Sequence, residues 1–259
     1  MLQFPPAVTN HEEQPDAVLD PVVHLIQAMR GFISRFTIAL YGYREIELLS
    51  SGKGSATSTL VGQSVMHWFL DHAFTDSLVL NLRALIEDKK RSLGAGAIAH
   101  GLTDETARSG LCAYLDTCPA DRRVTDNAER DKCLDYIAKY ATLLATRPKP
   151  GETMHPLVAK AELIRRWANK SIAHLTLDHV EIHGDDLHHL VLAIAFVATA
   201  VEKVMGNAGC PTDLVVCEQQ ALQGGAALFG ASPSFVGFMP QIREMFAFSL
   251  QTGKELPFA

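Results

Sequence analysis

The spacing of the apolar residues constrains the fold of this 259-residue chain more than any other feature. Through nearly every long segment, apolar side chains recur three or four residues apart, which places them on one face of an α-helix. No internal repeat is visible, and strand patterns do not alternate with helices as they do in a parallel sheet. We therefore predict an all-α fold, a bundle of four to five long helices with short accessory helices.

Capping and breaking residues place the ends of the predicted helices. Asp20 and Pro21 are typical of an N-cap and a first helical turn, so the first long helix begins there and ends before the Ser- and Gly-rich loop at 50–59. Thr103 begins a capping-box pattern for a shorter helix, although Asp104 and Glu105 beside it are better capping acids. Further helices are predicted over residues 60–88, 127–146, 155–174 and 185–205.

These helices divide the chain into three parts. We expect residues 1–19 to form a flexible N-terminal segment and residues 20–206 to form the helical bundle. After residue 206 the sequence becomes rich in Gly, Pro and small apolar residues. We predict that residues 207–259 are a helix-and-loop extension packed on the bundle.

The composition is that of a globular protein, with 47% hydrophobic and 20% charged residues. The net charge of −6 excludes a general polyanion binder, so any contact with nucleic acid must come from a local basic patch. The start of the chain lacks the pattern of a signal peptide. The apolar run at 190–201 is shorter than the ~20 residues of a membrane span. We therefore predict a soluble, cytoplasmic protein that makes no membrane contact and buries this run in its core.

The cysteine and histidine patterns give no strong metal signal. Five cysteines occur without a CxxC pair, which favours reduced thiols over a disulfide framework or a zinc ribbon. In the stretch 178–190, His179 and His183 are four residues apart, as are Asp185 and His189, and such donors suit zinc or iron. Gly184 interrupts the helical period there, so we predict a polar turn with an acidic helix cap, no metal and no cofactor. A metal-dependent bundle is the alternative.

The segment IRRWANKSIAHLTLD, residues 164–178, combines an apolar helix face with a row of basic side chains. Because each residue turns a helix by about 100°, Arg166, Lys170 and His174 lie within about 80° of one another. Asn169 flanks this basic stripe. The opposite side is predicted to face the core through Leu157, Ala161, Ile164, Ala168 and Leu175.

A histidine and two cations in one row can cleave RNA without a metal ion. His174 can take a proton from a 2′-hydroxyl group near neutral pH. A positioned cation can stabilise the negative charge that develops at the phosphorus. The alternative is the solvated face of an ordinary helix, with a histidine near the C-terminus as a favourable dipole partner.

Two segments resemble the HEPN domain superfamily, and specifically its AbiU2-like branch. NKSIAHLTLD at 169–178 resembles the signature segment, and LNLRALIEDKKRSLGAGAIAHGL at 80–102 resembles the second helix and the turn that follows it. The resemblance covers roughly residues 20–205. HEPN domains are all-α bundles, and many are homodimeric, metal-independent endoribonucleases whose motif helices face each other across a two-fold axis.

The predicted site has five residues: catalytic His174, Arg166 and Asn169, and phosphate-binding Lys170 and Arg165. The resemblance supplies Asn169 and His174, whereas Arg165 and Arg166 lack the family spacing and Arg166 is the better substitute by its place on the helix face. One position departs from the family pattern, because Ala168 stands where the family has its arginine. Two interpretations follow. In the first, Arg166 and Lys170 supply the charge and the protein cleaves RNA weakly or on a specialised target. In the second, the fold persists as a non-catalytic module for dimerisation or for binding RNA or protein.

The resemblance also implies partners. The branch takes its name from phage-resistance systems, so the expected setting is bacterial defence or the stress response. The expected assembly is a homodimer that acts on RNA. An antitoxin or a nucleotidyltransferase is the expected protein partner.

Overall fold

The computed structural model describes residues 20–51, 65–90, 92–149, 151, 153–169, 184–208, 213–229 and 237–254. Within these ranges the chain forms nine α-helices and a short 3-10 turn at Gly206–Ala208, and it contains no strand. The predicted all-α fold is confirmed. The helices are α1 (Pro21–Ser51), α2 (Val65–Leu85), α3 (Ala95–Thr103), α4 (Glu105–Thr117), α5 (Asn127–Ala145), α6 (Pro156–Trp167), α7 (Gly184–Met205), α8 (Leu214–Phe229) and α9 (Met239–Thr252).

The helices begin where capping chemistry predicts, with one correction. The Asp20 carboxylate caps α1 by accepting a 2.8 Å hydrogen bond from the backbone N–H two residues further on. The predicted capping box at Thr103 is wrong. The cap of α4 is Asp104, whose Oδ1 accepts from the backbone N–H groups of residues 106 and 107. Thr103 instead ends α3, and its hydroxyl donates to the carbonyl of Ala99 at 3.1 Å.

Where the predicted helix ends fall on described residues, they agree with the observed ends to within about three residues. The start predicted at 60 and the end predicted at 174 lie outside the described residues. The predicted helices at 127–146 and 185–205 correspond to α5 and α7. The one at 60–88 corresponds to α2, and the one at 155–174 to α6. Residues 1–19, most of the predicted loop at 50–59 and residues 170–174 lie outside the described residues.

α7 is a core helix of the fold. It packs against α1, α5, α6 and α9, and its apolar run at 190–201 is almost entirely buried, as predicted. The ring of Phe196 meets that of Phe246 on α9 edge to face, with 4.9 Å between the ring centroids. In the part of the chain that the structure describes, Gly184–Ala208 is the one helical stretch long and apolar enough to cross a membrane. Because 78% of its apolar window is buried, it behaves as the core helix of a soluble protein.

A buried ion pair joins α8 and α9 to the bundle. Glu218 of α8 is fully buried, and its Oε1 accepts from Nε of Arg44 on α1 at 3.0 Å. The same carboxylate accepts from the backbone N–H groups of Phe238 and Met239, both at 2.9 Å, where α9 begins. Burial of a carboxylate is tolerated when its charge and its oxygens are satisfied. Glu218 therefore determines how α1, α8 and α9 meet.

A glycine allows α3 to approach the turn that follows α2. A Cβ atom placed on Gly96 would lie 2.5 Å from the backbone carbonyl carbon of Asp88, far inside contact distance. The Gly96 N–H donates to the carbonyl of Glu87 at 2.8 Å. This contact holds residues 86–90 in place beside α3 and so positions Asp88.

Candidate functional site

The candidate site is the C-terminal end of α6, and the local sequence explains how this helix is built. His155 is the N-cap, with its ring Nδ1 accepting from the N–H of Leu157 at 3.1 Å. Pro156 occupies the first turn, where backbone N–H groups have no partner within the helix, so the missing N–H of proline costs no helical hydrogen bond. The predicted core face is buried at Leu157, Ala161, Ile164 and Ala168, and Leu175 lies outside the described residues.

Two of the predicted site residues are presented to solvent at this helix end. Arg166 and Asn169 are both exposed, whereas Ala168 between them is 3% exposed. Ala168 and Asn169 continue α6 in the wider π conformation. Lys170 and His174 lie outside the described residues, so Arg166 is the one residue of the basic stripe that the structure describes.

Arg165 points into the fold and not toward the exposed stripe. Its side chain is 1% exposed, and its guanidinium donates to the carbonyls of Ile86 at 2.8 Å, Leu144 at 2.5 Å and Thr146 at 3.0 Å. These carbonyls lie at the C-terminal ends of α2 and α5, where helical carbonyls lack partners within their own helix. We refer to Arg165 with these three carbonyls as the Arg165 clamp. This geometry corrects the predicted phosphate contact of Arg165 to a structural role.

Charged groups surround the clamp. Burial, followed by the neighbouring Arg147, lowers the pKa of Arg165. Arg147 binds Asp88 through two hydrogen bonds, from Nε to Oδ2 at 2.8 Å and from a terminal nitrogen to Oδ1 at 3.2 Å. The hydrogen bond from Arg147 is the main cause that holds the pKa of Asp88 well below its usual range. Glu87 pairs with Arg83 at 2.7 Å. The acids of this turn therefore bind Arg83 on α2 and Arg147 in the loop that follows α5.

A second polar group lies at the start of α7. Nζ of Lys160 on α6 lies 3.0 Å from Nδ1 of His189 and 3.5 Å from Oδ1 of Asp186. Nδ1 of His188 lies 2.5 Å from the hydroxyl of Tyr43 on α1. Burial is the main cause that lowers the pKa of His188, which favours its neutral form near pH 7. These contacts join the first turns of α7 to α6 and α1.

Sequence reasoning missed Lys160 and Tyr43 as members of this polar group. Lys160 lies six residues before Arg166, which places it about 120° around the helix from Arg166 and outside the row that Arg166, Lys170 and His174 form. Tyr43 is 145 residues from His188, and nothing local connects the two positions. Only the packing of α1 beside α7 brings them together.

The histidine stretch at 178–190 is divided between described and undescribed residues. His188 and His189 lie in the first turns of α7, and His179 and His183 lie outside the described residues. Asp185 and Asp186 occupy the first turn of α7, where acids interact favourably with the helix dipole. Within the described ranges, no group of three or more His, Cys, Asp or Glu side chains is placed to hold a metal ion.

Comparison of the chain with protein-family models, with curated proteins and with solved structures gives no match. Functional conclusions for this chain therefore depend on its own residues and their geometry.

Proposed function

We propose that this chain is an HEPN-like protein that acts on RNA as a metal-independent endoribonuclease, through the exposed end of α6 and the residues that follow it. The observation that supports this proposal is the contrast between two adjacent arginines. Arg165 is buried in its clamp, while Arg166 is exposed beside the exposed Asn169. A cation on a helix end that the core holds in place is preorganised to meet a phosphate group.

The proposed reaction is an internal transfer at one phosphodiester. His174 takes the proton of the 2′-hydroxyl group, and the 2′-oxygen attacks the adjacent phosphorus. The bond from phosphorus to the 5′-oxygen breaks, and that oxygen takes a proton from solvent water. One product ends in a 2′,3′-cyclic phosphate and the other in a 5′-hydroxyl group. Arg166 and Lys170 stabilise the charge on the phosphorane, and Asn169 orients the phosphate.

The test is cleavage of end-labelled RNA in EDTA by the wild type and by single variants. We expect His174→Ala to lower the cleavage rate by about 10²–10⁴-fold, the typical contribution of a general base. We expect Arg166→Ala to lower it by about 10²-fold, as removal of one charge-stabilising donor does. Lys132→Ala, which removes an exposed cation on α5, is the matched control and leaves the rate unchanged. Equal cleavage by wild type and His174→Ala would refute the catalytic role.

A non-catalytic binding module is the second candidate, and the burial of Ala168 favours it. This position, where the resembled family has its arginine, is 3% exposed and belongs to the core. In this candidate, RNA binds the wild type without being cleaved. A gel-shift assay with an uncleaved RNA distinguishes the two candidates, because Arg166→Ala then weakens binding while no variant changes the RNA length.

The assembly and setting belong to the same proposal. We propose a homodimer in which the two α6 ends face each other, with an antitoxin or a nucleotidyltransferase as protein partner in cytoplasmic bacterial defence. Light scattering of the purified chain measures its mass in solution. A monomer at the concentrations at which RNA is cleaved contradicts the dimeric site.

A further inference from the structure

A separate cavity of about 370 Å³ lies where α7, α9, the start of α8 and the turn between α4 and α5 meet. Its walls include Arg122, Thr199, Lys203, Asp213, Arg243 and Phe246. Its volume falls within the roughly 300–1,000 Å³ of pockets that hold small molecules. None of these residues belongs to the proposed RNA site.

The hydroxyl of Thr199 is the first indication that the cavity takes a ligand. Thr199 is 3% exposed, and its Oγ1 has no hydrogen-bond partner among the described residues. A threonine in a helix ordinarily donates to the carbonyl four residues earlier, as Thr37 does at 3.0 Å and Thr142 at 2.7 Å in this protein. A buried hydroxyl without a partner is unfavourable. A ligand in the cavity that bonds Thr199 removes that cost.

The two carboxylates that line the cavity, Glu202 and Asp213, already have partners. Glu202 accepts from the N–H of Leu214 at 2.9 Å and from Arg243 at 2.9 Å. Asp213 accepts from the N–H of Val215 at 2.8 Å and lies 2.8 Å from the same guanidinium. These acids therefore hold the N-terminus of α8 and orient Arg243. Both carboxylates are therefore already paired with a cation.

The cations retain donor capacity. An ammonium group has three N–H donors and a guanidinium has five. Lys203 donates to Glu129 at 2.5 Å, and Arg243 contacts its two acids through one terminal nitrogen. The hydrogen-bonding capacity that remains at the cavity is therefore mainly of the donor type, which suits an anion.

The backbone of Arg122 gives a further, independent indication. Arg122 has φ = +60°, and it is the only residue other than glycine with positive φ among the described residues. Such strained conformations cluster at functional sites, because the surrounding structure must hold them in place. Here the turn is held by the N–H of Val124, which donates to the carbonyl of Lys203 at 2.9 Å. The strain places the Arg122 side chain at the wall of the cavity.

The remaining wall is apolar and aromatic. Phe246 and Ala247 line the cavity, and Nζ of Lys203 lies 5.8 Å from the centroid of the Phe246 ring. We propose that this cavity binds a small organic anion, a carboxylate or a phosphate monoester attached to an aromatic or apolar group. Lys203, Arg243 and Arg122 contact the anionic group, Thr199 contributes a hydrogen bond, and Phe246 packs on the apolar part.

The test is calorimetric titration of the full chain with four probes. Phenylacetate and phenyl phosphate carry the two anionic groups, and phenylacetamide and phenol are their neutral counterparts. We expect one or both anions to bind and the neutral counterparts to bind at least about tenfold more weakly, because the charge-assisted hydrogen bonds are lost. The stronger anion identifies whether the natural ligand is a carboxylate or a phosphate.

Two variants locate the binding. Thr199→Val removes a hydroxyl that has no described protein partner, so the variant keeps its melting temperature while its affinity for the anion falls about tenfold. Lys203→Met keeps the length of the side chain and weakens binding to a similar extent. Thr37→Val on α1 is the control and binds as the wild type does. Binding of neither anion, equal binding of the neutral counterparts, or unchanged affinity in Thr199→Val and Lys203→Met would overturn the proposal. No readout uses RNA, so the result is independent of the proposed function.

Discussion

Replacing each of the two adjacent arginines of α6 by methionine compares a buried with an exposed guanidinium in one helix turn. In Arg165→Met, three hydrogen bonds to the carbonyls of Ile86, Leu144 and Thr146 are lost. A hydrogen bond that involves a charged group contributes about 1.5–3 kcal/mol, so simple addition gives roughly 5–9 kcal/mol. Contributions within one network do not add fully, and methionine retains part of the packing. We expect a loss of about 3–5 kcal/mol of unfolding free energy, the typical effect of breaking a buried charged contact.

The exposed neighbour gives the matched control. Arg166 is exposed, so we expect Arg166→Met to change the unfolding free energy by less than about 0.5 kcal/mol. Arg165→Lys keeps the charge but not the planar fork, and we expect an intermediate loss. The expected loss in Arg165→Met is a large fraction of the about 5–15 kcal/mol that stabilises a folded protein.

Urea unfolding followed by circular dichroism at 222 nm measures these differences. With a slope of about 1–3 kcal/mol per M, a loss of 3–5 kcal/mol lowers the midpoint by more than about 1 M. The RNA assay is then run on the same proteins, where Arg166→Met loses activity or binding and retains full stability. If Arg165→Met costs less than about 1 kcal/mol, or if both arginines cost the same, the Arg165 clamp does not stabilise the fold as described.

Three further predictions concern other parts of the fold. We expect Glu218→Gln to cost about 3 kcal/mol in a urea titration, because Arg44 stays buried without its full counter-charge; a variant as stable as the wild type contradicts this. The pKa of Asp88 is lower in the folded than in the unfolded state, so its carboxylate stabilises the fold above the unfolded-state pKa, and this stabilisation is lost as pH falls below about 4. We expect Asp88→Asn to remove this part of the dependence of the urea midpoint on pH. Gly96→Ala lowers the melting temperature, because its Cβ meets backbone 2.5 Å away, whereas Gly224→Ala on α8, where a Cβ meets nothing within 4 Å, raises it slightly.

The helices and most of the core could be predicted from the sequence, because the spacing of apolar residues and the capping residues are local signals. The core face of α6 and the burial of the run at 190–201 follow from periodicity alone. The misplaced cap at Thr103 shows the limit of this reasoning, since Asp104 offers a competing carboxylate one residue later. A pattern match does not decide between two adjacent capping residues.

The candidate site was less predictable, because the charge of Arg165 was taken to mean that its side chain is exposed. Val158, Ala161 and Ala168 are buried at spacings of −7, −4 and +3 from Arg165, and this pattern indicates a buried position. This apolar spacing is visible in the sequence, and it predicts the burial of position 165 better than the charge of its side chain does. The partners of the clamp were not predictable, since Ile86 is 79 residues away and its carbonyl becomes available only at the end of α2.

The Arg165 clamp also has a consequence for the order of folding. Its acceptors exist only after α2 and α5 have ended at their native positions, because within a longer helix these carbonyls would have partners of their own. We therefore expect the clamp to close after the other helices have formed, with α6 docking late. Since an interaction absent from the folding transition state affects unfolding alone, we expect Arg165→Met to accelerate unfolding and to leave the folding rate nearly unchanged. The same arginine would then control how long the folded protein survives, and not how quickly it forms.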